Sequence, residues 1–394
     1  MSRGAGCHPA LQFPMHITQL NLKDKKQVDD FLRLPFSIYK DIPQWVPPLQ
    51  MDERLRLSPQ RFPFYRHSQA SFFLAYKRSS PVDEGTRPEG RLAVLDNHRY
   101  NEFNKTKTAF FYLFECENNQ EAATALFNAA FDWARSRGLE KVTGPKGFTP
   151  LDGFGLLVRG FEHRPAFGLP YSPAYYVDLV EAQGFVKEGE SVSGYLGTQI
   201  QFPPRIHQLA ERLAGRRGLR ILRCTARNDL RALVKHLKEL YNNSLVGTEG
   251  TAPLTDEEVD AMANQLIWLA DPKLVKLVMK EDKAVGFLLA YPDISAALQK
   301  TRGRLFPFGW LTLLLELRRT DWININGAGL LPEYRGSGGT AILYSEMFKS
   351  VSENPRYKHA EVVQIGVENE NMQREMENFG IDFYKVHRTY SRTL

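Results

Sequence analysis

The sequence predicts an α/β protein built as two halves on one plan, each half a mixed, twisted sheet flanked by helices. Three observations predict it. Short apolar runs of strand length alternate with longer segments of helical period, the order of these segments repeats from Gly218, and each half closes on a helix, a glycine and a final strand. A chain of 394 residues with 43% hydrophobic and 24% charged residues is long enough for two or three cores and has the balance of a folded, soluble protein.

The first half is assigned to residues 15–196. Its opening "MHITQ" alternates as a strand does, and an amphipathic helix follows with Val28, Phe31 and Leu32 on one face, interrupted at Pro35. "SFFLAYKR" and "GRLAVLDN" read as a strand pair joined by the polar hairpin tip "RSSPVDEGTRPEG". "TAFFYLFECE" is the next strand, "EAATALFNAAFDWARSRG" a helix stopped by Gly138, and "EKVTGP" another strand. The second half is assigned to residues 218–394, after a linker around 196–217 that holds a short helix. It repeats the order: a strand with Leu219, Ile221, Leu222 and Cys224, then a helix with Leu230, Leu233, Leu237 and Leu240 on one face. A hairpin turning at Glu281–Lys283 follows, then a strand ahead of Pro332, a helix over Ala341–Val351 and the strand "AEVVQIGVEN". The closing segments are "YYVDLVEAQGFVKEGESVSGYL" and "NMQREMENFGIDFYKVHRTY".

Composition excludes several classes. The start "MSRGAGCHPALQFPMH" lacks an apolar signal core, and no segment stays apolar for the ~20 residues a membrane span needs, so a cytoplasmic protein is expected. Regular patterning begins only at Met15, which makes the residues before it a ragged extension. Three scattered cysteines, Cys7, Cys116 and Cys224, form no CxxC pattern, so reduced thiols and no metal site are expected. A net charge of +6 suits an anionic partner and equally suits a plain basic surface.

One stretch carries chemistry. "LLPEYRGSGGTAILYSEMF", residues 330–348, is the end of a strand, a turn of small residues and the start of a helix. That order gathers unpaired backbone N–H groups at the positive end of a helix dipole, which is a phosphate site. It is not a dinucleotide fingerprint, because Pro332 takes the third glycine position after Gly327-Ala328-Gly329. It is not a Walker loop either, since no Lys-Ser/Thr pair follows the glycines, and the chain has no GxSxG and no HExxH.

The stretch resembles the acyl-CoA-binding motif of the GNAT superfamily of N-acyltransferases, Arg/Gln-x-x-Gly-x-Gly/Ala, written here as Arg335-Gly336-Ser337-Gly338-Gly339-Thr340. Leu330 and Leu331 precede it as they do in such enzymes, and Thr340 departs from the pattern, which has a small apolar residue there. Asn369 matches an asparagine that faces the CoA arm. The tyrosine that protonates the leaving thiolate falls at Met376, a second departure. In the first half "YYVDLVEAQGF" matches the closing motif, but "FECENNQEAATALF" holds no Arg-x-x-Gly. The chain is therefore similar to tandem GNAT proteins with one working and one degenerate cofactor site, as in N-myristoyltransferases and Fem-type aminoacyltransferases. The pattern "GP…DGFGLLVRGFEHRP…PYSPAYY" resembles a group of bacterial tandem GNAT proteins linked to N-acylation of sphingoid bases.

The resemblance implies acyl-CoA, or the phosphopantetheine of an acyl carrier protein, as donor and an amine as acceptor, with a long acyl chain and a lipid-like amine as its finer form. The backbone of 335–340 then holds pyrophosphate, and splayed strands at Gly327–Leu331 and Gln364–Val367 hold the pantetheine arm. A bulge within Gly327-Ala328-Gly329 turns an N–H towards the thioester carbonyl. An ammonium acceptor must lose a proton before it attacks, so a base is required; Glu115 and Glu368, both near strand ends, are the candidates, weighed against plain exposed carboxylates. N-myristoyltransferases use a C-terminal carboxylate, which here is that of Leu394.

The segment "PDISAALQKTRGRLFPFGWLTLLLELRRTD" is far longer than a hairpin turn. Its readings are the wall of an acyl-chain tunnel, a peripheral contact with the inner membrane face, or a helix packed between the halves. Three function classes stay open: an acyl-CoA-dependent N-acyltransferase, an aminoacyl-tRNA-dependent transferase of the Fem type, and a non-catalytic acyl-CoA sensor. The absence of an interleaved basic and aromatic stripe argues against nucleic acid.

Overall fold

The computed structural model describes residues 15–77, 87–197, 204–224, 226–244, 251–336 and 338–394. The extension before Met15, most of the polar hairpin tip, the start of the predicted linker and Ser337 lie outside the described residues.

The first half runs β1 (Met15–Gln19), α1 (Lys25–Ile38), α2 (Gln50–Arg56), β2 (Gln69–Lys77), β3 (Gly90–Asp96), α3 (His98–Asn104), β4 (Thr108–Cys116), α4 (Gln120–Arg135), β5 (Lys141–Gly144), β6 (Leu156–Arg159), α5 (Tyr176–Glu181) and β7 (Val186–Gly197). The second runs α6 (Pro204–Arg217), β8 (Leu219–Arg223), α7 (Arg227–Ser244), α8 (Asp256–Ile267), β9 (Val275–Lys280), β10 (Lys283–Pro292), α9 (Ser295–Thr301), α10 (Gly309–Arg319), β11 (Trp322–Leu330), α11 (Gly339–Ser352), β12 (His359–Gly366), α12 (Glu370–Asn378) and β13 (Asp382–Thr393). The repeated plan is present: β4–α4–β5 and β11–α11–β12 are the two parallel pairs, each made parallel by its crossover helix.

One expectation fails locally. The first helix is not interrupted at Pro35 but continues to Ile38. Proline removes the N–H that would bond the Phe31 carbonyl. The buried Arg91 guanidinium supplies a donor in its place, Nη1 to the Phe31 oxygen at 2.8 Å.

The strands form one 13-stranded sheet rather than two separate ones, in the order β1-β2-β3-β4-β5-β13-β7-β12-β11-β10-β9-β8, with β6 also on β13. The closing strands are exchanged. β7, from the first half, pairs with β12, while β13, from the second, pairs with β5. Packing follows the exchange: Tyr390 of β13 is fully buried in the core under α4 and α5, and Leu196 of β7 packs against the core of the second half. α6 also belongs to that second core, through Ile206 and Ala210.

Candidate functional site

The ladder between β11 and β12 runs only from Trp322–His359 to Ile325–Val362. Beyond it the strands part, and among the described residues no ladder joins the facing edges of 326–330 and 363–366. Both segments are half-exposed. On its other side β11 stays paired with β10, with a bulge that leaves out Asn326 between the Gly327–Leu289 and Ile325–Ala290 pairs. The bulge thus lies one residue before the small-residue run expected to hold it. Asn326 Nδ2 donates to the Tyr291 hydroxyl, and burial pushes that phenol well above its ordinary range, so it stays protonated.

The slot leads to the turn. Leu331 is buried and its N–H donates to the Val285 carbonyl at 3.0 Å, which ends the strand. Gly336 and Gly338 both have positive φ, 66° and 87°. A Cβ on Gly338 would also lie 2.1 Å from Leu213 of α6, so this position excludes other residues on two counts. α11 then starts at Gly339 with no capping side chain and no acidic residue in its first turn. Its first internal bond is Ile342 N–H to the Gly338 carbonyl at 3.1 Å, and among the described residues the N–H groups of 339–341 have no acceptor within the helix.

The predicted residues divide. Leu330, Leu331, Arg335, Gly336, Gly338, Gly339 and Thr340 come together around this turn. Arg335 contributes backbone there, while its guanidinium donates to the Ser244 carbonyl at the end of α7, 2.7 Å away. Thr340 points its hydroxyl to the Glu375 carboxylate of α12, whose pKa burial raises. Asn369 caps α12, accepting from Met372 N–H at 3.2 Å. Met376, where the sequence has no tyrosine, is fully buried in the core of the second half.

Glu115 and Glu368 are not brought together. Glu368 is exposed after β12, beside Gly366 and Gly189. Glu115 belongs to the first half, where it accepts from the Tyr176 hydroxyl at 2.8 Å and lies 3.8 Å from Arg91. Burial raises its pKa, and Arg91 opposes that shift. Leu394 donates its N–H to the Glu140 carbonyl, which places the chain end at the start of β5, in the first half.

Sequence reading missed a polar cluster where the halves meet. Asp293, at the end of β10, accepts from Asn324 of β11 at 3.0 Å and from Arg164 at 3.1 Å. Lys385 of β13 pairs with Glu361 of β12 at 2.7 Å and donates to the Arg164 carbonyl at 2.8 Å. Both side chains are almost fully buried. Burial pushes each towards neutrality, Glu361 up and Lys385 down, while their mutual attraction resists. His387 is buried with Nε2 on the Pro170 carbonyl at 3.0 Å, and burial lowers its pKa to about 4. Gln364 holds a strained backbone (φ 44°) and exchanges hydrogen bonds with both backbone groups of Phe154. The available signal was a polar residue inside an otherwise apolar strand, as in "WININGAGL", "HAEVVQIG" and "DFYKVH".

No family model matches the chain. It is 26% identical over 383 residues to Protein YghO of Escherichia coli (strain K12), covering 96% of this chain and 95% of that one. It is also 26% identical over 390 residues to the bacterial ceramide synthase of Caulobacter vibrioides (strain NA1000 / CB15N), covering 96% and 98%. Among solved structures, a tandem GNAT protein from the clavulanic acid biosynthesis pathway superposes with a TM-score of 0.54 at 12% identity, over 96% of this chain and 98% of that one. At that identity the likeness establishes the fold: the chain has the tandem GNAT architecture.

Proposed function

We propose that this protein is a GNAT-type N-acyltransferase that takes its acyl group from acyl-CoA, and that the finer acceptor class is a long-chain amine such as a sphingoid base. The fold and the ceramide synthase relative support an acyltransferase. The observation that carries the donor assignment is the unpaired β11/β12 slot running into an uncapped helix N-terminus. An extended pantetheine arm adds between the strand edges as a third strand, and its pyrophosphate meets the N–H groups at the start of α11.

In this reading the acceptor amine, once deprotonated, attacks the thioester carbon. The N–C bond forms, the C–S bond breaks, and the electron pair leaves on the CoA sulfur. An N–H beside the Asn326 bulge stabilises the oxyanion, and with Met376 at the position of the family's tyrosine the thiolate leaves without a proton from that residue. Glu368 is the one predicted base that lies beyond the end of β12; Glu115 remains a second-line candidate from the first half.

The test is calorimetric titration with CoA, acetyl-CoA and palmitoyl-CoA, followed by thiol release with a sphingoid base or a short amine as acceptor. Palmitoyl-CoA binding with thiol release on the sphingoid base is expected. Binding without release under any acceptor would favour a sensor, and no CoA binding would overturn the donor assignment.

A further inference from the structure

The segment 295–319 packs by one face only. Leu298 and Leu313 are buried with Leu49 and Ile294, so α9 and α10 are anchored between the halves. The opposite face is open. Phe306 and Phe308 are each 71% exposed, and Trp310, Leu311, Leu314 and Leu315 are between 43% and 48% exposed. Isolated exposed apolar residues are ordinary, but six within ten positions form a continuous patch. Its borders are basic. Arg302 and Arg304 precede it, Arg318 and Arg319 end α10, and all four are exposed. Among the described residues Arg304, Arg318 and Arg319 have no acidic partner.

A cavity of about 910 Å³ lies beside the patch, between α1, α2 and the end of α9. It shares Arg302 and Arg304 with the border of the patch; Arg33, Arg54, Arg87, Arg91 and Lys300 in its lining pair with carboxylates, while Arg302 and Arg304 have no acidic partner among the described residues. Arg91 lines its inner wall, 3% exposed, with its Nε buried and unpartnered. An apolar face rich in aromatics, edged by arginines and adjoining a cationic cavity, matches one surface in both its parts: hydrocarbon below, anionic headgroups above.

We propose that the α9–α10 segment docks this protein on an anionic lipid surface, the apolar face entering the headgroup boundary and the cavity accepting phosphate headgroups. No helix among the described residues is long and apolar enough to cross a membrane, so the contact is peripheral.

Vesicle co-sedimentation of the full chain tests it, using phosphatidylcholine alone and phosphatidylcholine mixed with phosphatidylglycerol. The wild type is expected to prefer the anionic vesicles by about tenfold or more, and Leu314→Glu/Leu315→Glu and Arg302→Glu/Arg304→Glu are each expected to lose about as much. The emission of Trp310 should shift to the blue on vesicles, and the shift should vanish in Trp310→Phe, a variant that leaves the packing face intact. Acylation of a soluble short amine should be unchanged in all three variants, which separates this proposal from the acyl-transfer reading. Equal sedimentation of wild type and variants, or none with either vesicle, overturns it. So does a wild-type dimer in sedimentation equilibrium that Leu314→Glu/Leu315→Glu dissociates, because a second copy would then cover the face.

Discussion

The two halves carry the same strand, turn and helix, and they differ in what sits on the helix N-terminus. In the first half Asn119 caps α4, accepting from the N–H groups of Glu121 and Ala122 at 2.9 and 3.3 Å. Glu121 adds an acidic residue in the first turn of α4. The edge of β4 is taken as well: Cys116 N–H donates to the Tyr176 hydroxyl and the Tyr175 hydroxyl donates to the Cys116 carbonyl, both at 2.9 Å. In the second half, among the described residues, the corresponding helix has no capping side chain and no strand pairs with the facing edge of 326–330. The two copies of one framework thus differ through a few side chains at one turn, and the proposed donor site falls in the copy that lacks them.

The largest expected effect tests the strand exchange that binds the halves. Lys385→Met leaves Glu361 as an uncompensated buried charge and should cost about 3–5 kcal/mol in denaturant unfolding. Because β13 lies in the sheet of the first half, both halves should lose stability in one transition. Two transitions, only the later one shifted, would break the picture of a single shared sheet.

His387 sharpens the same point by pH. Its folded pKa, about 4, lies below the ordinary 6.5, so the unfolded chain binds the extra proton and stability falls as pH drops from 6.5 towards 4. The full difference is about 3 kcal/mol, and the wild type should lose that much relative to His387→Gln across this window in thermal melts. Parallel pH curves for the two proteins would refute the burial of a neutral imidazole on the exchanged strand.

At the turns the halves can be set directly against each other. Gly338→Ala forces a Cβ onto Leu213 at a positive-φ position and should weaken CoA binding about tenfold or more. Asn119→Ala should leave CoA affinity unchanged and cost about 1 kcal/mol of stability. Equal effects of the two on CoA binding would mean that both helix ends bind it. The smallest expected effect is a gain: Glu375→Gln removes a carboxylate beside Thr340 at the start of α11, where the pyrophosphate is proposed to bind, and should tighten CoA binding by roughly twofold to fivefold at neutral pH.

The geometry of the turn was legible because it is local. Gly336 and Gly338 declare a turn with positive φ, and the apolar strand and helix on either side fix its direction. The hairpin at Glu281 was legible for the same reason, and that residue takes φ 52° in the structure. Met376 read as a missing acid, and in the structure it is a core residue. Pro35 misled because its cost was met by Arg91, 56 positions further along the chain. The cluster of Asp293, Asn324, Glu361 and Lys385 could be suspected only residue by residue, because the four lie in separate segments that the sheet alone brings together.

By itself the sequence determined the order of elements, the duplication and the turn at 335–340, since periodicity, glycine and helix ends act within a few residues of each other. Only the tertiary structure decided that the two closing strands change places, that Asn119 and Tyr176 occupy the turn and strand edge of the first half, and that Lys385 neutralises Glu361. These depend on pairings between residues far apart in the chain, where burial sets the energy and no local pattern records which partner is met.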